Sequence, residues 1–296
     1  MKKGKRSNGT LFTVPVIIST IVLGAILFIA IFAPLLAAYD PDAIDFTAIL
    51  ASPSKEHWLG TDATGRDQFT RLMYGGRTSM INGLLVVLIS VVLGVPLGLI
   101  CGFYKGWADN VIMRVTDFIL SFPPLLLAII LVAGFGRSGM IAVVACGIVY
   151  TPGIIKLMRS LVLTESKAGY VEACQSMGYT DRRIMFRHIL PNCVPTLIVE
   201  ITLDFGYAIV TLASMSFLGI GVQAPQSDWG TMLEEGFSVI STKPALAMGP
   251  AAAILLVVLS VNILSDGIQR YLDPGQRKLP SFERYRKKHP AEVKEI

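Results

Sequence analysis

Six stretches of this chain stay apolar over roughly 20 residues, the length a helix needs to cross the hydrocarbon core of a bilayer. They run over Val14–Ala37, Ser79–Tyr104, Val111–Ala133, Met140–Met158, Val194–Leu218 and Leu246–Ile268. Inside a bilayer every backbone amide must find its partner within the protein, so such runs predict an all-α, polytopic integral membrane protein with six spans. At 53% hydrophobic and 16% charged residues the chain is too apolar for an ordinary soluble domain. The first run is too long for the core of a cleavable signal peptide and reads as an uncleaved anchor.

The basic residues give an orientation. With Lys2, Lys3, Lys5 and Arg6 ahead of the first span, the N-terminus is expected in the cytoplasm, and six crossings return the C-terminus to the same side. That arrangement places 20 of the 26 Lys and Arg residues inside and six outside, as the positive-inside rule requires. The net charge of +5 therefore belongs to the ends of apolar runs, not to a nucleic-acid-binding face. Cys101, Cys146, Cys174 and Cys193 show neither CxxC nor His-partner spacing, and read as reduced packing residues.

Along the chain the expected parts are a basic tail at 1–12, a first span with an outer segment at 13–78, a transmembrane domain at 79–272 and a tail at 273–296. Within the outer segment Phe69, Leu72, Met73 and Gly76 recur at helical spacing, which predicts a short helix lying at the membrane interface. Trp229, in the segment between spans five and six, suits an interfacial belt. Pro96, Pro123-Pro124 and Pro152 predict kinks in three successive spans, which must be sheltered by neighbours or by a water-lined cavity. Glu200 and Asp204 form an i, i+4 pair on one face of span five, with Asp204 roughly 15 Å from the cytoplasmic end at helical rise. A carboxylate at that depth must face a cavity or a partner, so both are candidates for a translocation path or for a structural bond. Arg114 and Asp117 read as a structural pair.

Between spans four and five lies a charged island, Glu165 to Asn192. Thr164–Met177 has helical character, with Val171, Cys174 and Met177 at helical spacing, and Gly178 suits a left-handed stop. Thr180 or Asp181 can cap a second helix through Ile189, with Pro191 marking its end. Ile184, Met185, His188 and Ile189 give that helix an apolar face, and Arg183 and Arg187 a basic one. A folded helix–Gly–helix unit between two spans is a docking surface for something outside the membrane.

Glu172-Ala173-Cys174, then Gly178, then Leu190-Pro191 at the right distance, resembles the EAA loop of ABC-importer permeases. Cys174 stands for the second Ala, and His188 stands where Ile is usual. Further segments resemble the second, C-type permease of the dipeptide/oligopeptide/nickel branch. These are Leu59–Asp67 with Arg71–Gly75, Phe122–Ala128, Phe186–Asn192, Ser216–Gln223, Asp228–Met232, and Asp266-Gly267 with Leu272-Asp273-Pro274. Gln226 departs from a Pro of that pattern. The resemblance implies that Glu172, Ala173, Cys174, Gly178, Arg183, Arg187, His188, Leu190 and Pro191 form a coupling loop that sits in a cleft of an ATPase. It also implies a sister permease subunit, two ATPase domains or subunits that carry the ATP and Mg, and an extracytoplasmic solute-binding protein. The setting is a prokaryotic cytoplasmic membrane. This chain has no GxxxxGK[ST] sequence with which to cradle nucleotide phosphates, so no cofactor is expected in it. Peptides are the cargo most often implied, with nickel, metal–opine complexes or glutathione as alternatives. A channel would want repeated polar rings, and an intramembrane enzyme would want HExxH, GxSxG or paired His/Cys ligands beside Glu200 and Asp204; neither pattern is present.

Overall fold

A computed structural model describes residues 13–272. The expected tails at 1–12 and 273–296, including Asp273 and Pro274, lie outside the described residues. The order of elements is α1 (Val14–Ile31), α2 (Ala33–Leu36), α3 (Gln68–Tyr104), α4 (Gly106–Leu120), α5 (Pro124–Phe135), α6 (Gly139–Glu165), α7 (Gly169–Ser176), α8 (Asp181–Ile184), a π-helical turn (Met185–Ile189), α9 (Leu190–Phe217), α10 (Trp229–Ser238) and α11 (Ala245–Leu272). Among the described residues there is no strand, only an isolated bridge between Thr61 and Asp67. The fold is all-α. Among the described residues five continuous helical stretches are long and apolar enough to span, and there are six if the bent pair α4–α5 is counted as one span.

Local chemistry explains where these helices begin and break. The Asp67 carboxylate accepts from the Thr70 amide at 2.7 Å and starts α3. From there α3 runs 37 residues without a stop, so the separate interfacial helix expected around Phe69–Gly76 is instead its first turns. Those residues are carried inward by packing, because Gly75 and Gly76 let Asp228 and the Trp229 ring approach closely. Trp229 is accordingly only 2% exposed, with its indole Nε1 donating to the Leu72 carbonyl at 3.1 Å. It is a core residue, not part of an interfacial belt.

The first span ends earlier than the apolar run suggests. α1 stops at Ile31, and Ala33–Leu36 forms a separate turn with Pro34 in its first positions. The expected span Val111–Ala133 is not one rod either: α4 and α5 meet at 94°, since Pro123 and Pro124 cannot donate the amides that would carry the helix past Phe122. Pro96 and Pro152, by contrast, remain inside continuous helices.

The body of the bundle is the pair α3–α6, which interlocks through small residues. A Cβ placed on Gly94, Gly98 or Gly102 of α3 would lie 2.5–2.7 Å from the Cβ atoms of Ile154, Met158 and Val162 of α6. Gly147 of α6 receives Ile89 of α3 equally closely. Lipid supplies no hydrophobic drive between helices, so close backbone approach and dense contact hold such a pair. One apolar cluster joins α3, α5, α6 and α9, and a second joins α3 and α6 to α7, α8 and the start of α9. The third fixes α10 and α11 on α3 and α9, with α1 at its edge. All four cysteines are free and buried.

Candidate functional site

The charged island projects from one end of the bundle. α6 ends at Glu165; the Ser166 amide closes on Val162 at 2.8 Å and the Ala168 amide on Glu165 at 3.0 Å. Ala168 is extended (φ −76°, ψ 142°), so the helix expected from Thr164 to Met177 is broken there and restarts as α7 at Gly169. At the other end of α7, Gly178 sits at φ +76°. Its amide bonds the Gln175 carbonyl at 2.9 Å, and the Tyr179 amide bonds the Cys174 carbonyl at 3.1 Å. That pair of bonds is a Schellman stop, which wants a residue without a Cβ at the left-handed position.

After the stop, Thr180 occupies the N-cap position of α8 without a side-chain cap bond. The second helix does not end at Pro191. It passes through the π turn, where the Leu190 amide reaches back to Met185, and continues as α9. Pro191 falls in the first turn of α9, where a π adjustment of the ladder accommodates its missing donor.

The island has an attached face and an open one. Val171, Cys174, Ile184, Met185 and Ile189 are buried, four of them in the cluster that includes Val95 and Leu99 of α3. Glu172, Ala173, Arg183, Arg187 and Pro191 are exposed, Leu190 is half-buried, and Met177 and Phe186 are 62% and 53% exposed. The Arg183 guanidinium lies over the Tyr179 ring at 4.1 Å, and that ring stacks on His188 at 5.7 Å. His188 buries its Nε2 without a hydrogen-bond partner among the described residues.

Three side chains absent from the expected set tie the island to the spans. Tyr170 Oη of α7 donates to Glu165 Oε2 of α6 at 2.7 Å. Asn192 Nδ2 of α9 donates to Tyr170 Oη at 3.1 Å and to Glu165 Oε2 at 3.3 Å. Burial and the bond to Glu165 push the Tyr170 hydroxyl up to about 12, so it keeps its proton and remains the donor. Just inside, Arg159 of α6 clamps Asp109 of α4 through two bonds of 2.6 and 2.7 Å. The expected Arg114–Asp117 pair is not formed; Asp117 meets Lys156 of α6 at 2.7 Å, because that lysine comes across from the neighbouring helix.

Glu200 and Asp204 lie one turn apart on α9, as their spacing requires. Asp204 is 9% exposed, and its carboxylate makes no hydrogen bond or ion pair among the described residues, while Glu200 is half-buried. About two turns further along α9, Thr211 pairs with Tyr150 of α6 at 2.9 Å.

At the opposite end of the bundle a buried ionic network was not foreseen. Asp62 Oδ2 meets Arg66 Nε at 2.8 Å and Arg71 Nη1 at 2.5 Å. Arg71 also pairs with Glu235 of α10 and donates to Ser227 Oγ at 3.0 Å, and is only 1% exposed. Burial alone would raise the Asp62 pKa, but the Thr64 hydroxyl, the Arg71 charge and two backbone amides outweigh it and hold the group below its ordinary value of 3.8. The network fixes the segment before α3 onto α10 across more than 160 residues of sequence.

Comparison with known proteins places these features. The family described as "Binding-protein-dependent transport system inner membrane component" matches residues 94–278, and "N-terminal TM domain of oligopeptide transport permease C" matches residues 15–53. The glutathione transport system permease protein GsiD of Pectobacterium atrosepticum is 42% identical over 83% of this chain and 82% of its own. The dipeptide transport system permease protein DppC of Alkalihalophilus pseudofirmus is 42% identical over 88% of this chain and 86% of its own. Inward-facing MetNI methionine ABC transporter structures share the fold, with a TM-score of 0.57 over 69% of this chain and 96% of theirs at 17% identity. An all-α bundle with a helix–Gly–helix island between two spans, matched along most of its length, belongs to the family of transmembrane permease subunits of binding-protein-dependent ABC importers.

Proposed function

We propose that this chain forms one half of the translocation path of an ATP-driven importer for short peptides, and that α7 with α8 is the element through which a separate ATPase drives it. The observation that carries this reading is the construction of the island. Its open face presents Glu172, Ala173, Arg183, Phe186 and Arg187, while its other face is packed into α3 and α9. A helix that is both exposed and tied to two spans can pass a displacement on to them. ATP and Mg sit on the partner, since this chain has no phosphate-cradling loop.

When two ATPase domains close on ATP, α7 moves with them. Because Glu165, Tyr170 and Asn192 join the ends of α6, α7 and α9, the spans tilt as a unit and exchange inward- and outward-facing cavities. A sister permease subunit completes the path, and a solute-binding protein on the outside delivers the cargo. Cargo-loaded receptor and ATP must each favour the same global state for the two to be coupled. The island then lies in the cytoplasm with both termini, in the cytoplasmic membrane of a prokaryote, and the Asp62–Arg71–Glu235 network lies outside. Asp204, with Glu200, faces the hydrated path. Relatives named for dipeptide and glutathione transport at 42% identity favour peptide-like cargo over a metal ion or metal–opine complex.

The test is reconstitution in proteoliposomes. Uptake of labelled dipeptide and of glutathione is expected only with ATP, the sister permease, the ATPases and a binding protein present together. ATP hydrolysis by this chain alone, or uptake without an ATPase, overturns the reading.

A further inference from the structure

No residue of α4 belongs to any of the three apolar clusters that hold the bundle together. Of its 15 residues only Asp109 and Thr116 are buried, and both are polar. The helix is also set off from the chain at both ends. After it, α5 departs at 94°. Before it, the backbone passes through two successive residues at positive φ, Lys105 (φ +54°, ψ −159°) and Gly106 (φ +71°), and Lys105 makes no side-chain cap bond. The Lys105 conformation lies close to one that glycine alone adopts readily, and a residue held there persists only where its surroundings fix it.

Asp109, in the first turn of α4, supplies that fixing. Its carboxylate accepts Arg159 Nε of α6 at 2.6 Å and Nη2 at 2.7 Å, a parallel fork of two charge-assisted bonds. Asp109 is only 6% exposed, so little water competes for it. The other link to α6, Asp117 to Lys156, joins two exposed side chains, and pairs of that kind contribute little. Since α6 is itself interlocked with α3 along the glycine seam, the fork holds α4 against a rigid pair of spans. It does so inside this chain, whatever the sister subunit or lipid covers on the other side of α4. We infer that Asp109 and Arg159 are a positioning pair that seats α4 on the α3–α6 body, so that the bent pair α4–α5 travels with α6. Arg159 stands six residues before Glu165, through which α7 is tied to α6. Without the fork, α4 pivots at Lys105–Gly106 and at the break before α5, and a displacement of α6 is lost between them. The seating is a property of this chain, whereas its use as a relay rests on the coupling role proposed for α7 and α8.

The experiment uses the assembled transporter with nitroxide labels on Arg114→Cys of α4 and Ser160→Cys of α6, both exposed positions, the four native cysteines being buried. Pulsed EPR reads the distance between the labels without nucleotide. One narrow distance is expected in this background. A bond to a charged group favours the seated position by roughly tenfold or more, so Asp109→Ala is expected to add a broad population of displaced distances. Asp109→Ala with Arg159→Ala, which leaves no unpaired charge, is expected to do the same. Lys105→Gly relaxes the elbow with the fork intact, and is expected to keep the narrow distance. A narrow distance in either alanine variant, or a broadened one in Lys105→Gly, overturns the seating. Failure of both alanine variants to assemble makes the pair a folding requirement and overturns it as well. In proteoliposomes the double alanine variant is expected to hydrolyse ATP while losing most of the cargo imported per ATP. A displaced α4 with an unchanged yield overturns the relay. If the parent itself takes up nothing with ATP, the coupling reading and the relay fall together, and the distances alone decide the seating.

Discussion

The hydroxyl of Tyr170 reaches back across the break between α6 and α7 to the carboxylate of Glu165, at 2.7 Å. Asn192, 27 residues beyond Glu165, closes the same triangle from α9. The break would otherwise be a hinge: Ala168 is extended, and Gly169 follows it. A displacement of α7 that flexed such a hinge would be lost before it reached the spans. Tyr170→Phe keeps the ring and removes both bonds, each worth about 1 kcal/mol or somewhat more where a carboxylate accepts. The expected result is an assembled transporter that hydrolyses ATP with a reduced yield of cargo per ATP. The check is uptake and hydrolysis measured on the same proteoliposomes; an unchanged ratio means the triangle does not transmit motion.

The left-handed stop makes a sharper prediction. A Cβ at Gly178 would meet nothing within 4 Å, so crowding plays no part and only the backbone at φ +76° decides. Gly178→Asn is therefore expected to be tolerated, because Asn enters this conformation at small cost. Gly178→Val is not, since a β-branched residue there is a true outlier. Co-purification of the ATPase should fall with Val and persist with Asn while both variants insert normally. Equal behaviour of the two would show that the stop is not what orients α8.

At the α3–α6 seam the limit is steric. A Cβ on Gly98 would fall 2.5 Å from Met158 Cβ and 2.9 Å from the Ile155 carbonyl, whereas one on Gly153, on the same α6, would meet nothing within 4 Å. Gly98→Ala is expected to destabilise by about 1–3 kcal/mol through overpacking. Gly153→Ala should be neutral or stabilising, as loss of glycine's freedom in a helix is worth roughly 0.5–1 kcal/mol. Thermal melting of the detergent-solubilised protein separates the two.

The buried network around Asp62 gives a pH dependence with a definite sign. Its pKa is held below 3.8 in the folded protein, so the stability it contributes is present above that value and is lost as pH falls through the lowered folded value. Asp62 and Glu235 share two cations, Arg66 and Arg71. Arg71→Met removes the more deeply buried one and leaves Arg66 in place, so the cost is expected to fall below the ~3–5 kcal/mol of a buried charge left with no partner. The variant should melt earlier at neutral pH and lose less on acidification than the parent. A parallel loss in both proteins would place the acid-sensitive group elsewhere.

Much of this was legible in the chain because spans announce themselves by length, and Gly178 by its place between two helical patterns. What escaped depends on contacts that no local pattern encodes. Pro123-Pro124 and Pro191 are equally disruptive as residues, yet at the first pair α4 and α5 part at 94° and the second is absorbed by a π turn. The difference lies in the neighbours that hold each segment. Trp229 looks interfacial until Gly76 is brought against its ring. Arg71 and Glu235 are 164 residues apart, and Tyr170 and Asn192 are 22, so neither bond has a spacing to read.

Asp204 offers the last test, because burial and chemistry pull in opposite directions there. The side chain is 9% exposed on a membrane-spanning helix and has no bonded partner among the described residues. A carboxylate in that setting is costly unless water or a cation reaches it. If Asp204 faces the path, Asp204→Asn removes the charge at constant shape and is expected to reduce uptake with normal expression and assembly. Asp204→Leu should then also assemble and fail to transport, since the lost group was solvated by the cavity and not by the fold. If instead the carboxylate completes a bond with the sister subunit, the leucine variant should assemble poorly while the asparagine variant retains most of its function. Uptake and co-purification of the sister chain, measured for both variants, distinguish these outcomes. Normal transport by both at normal expression would remove Asp204 from the path altogether.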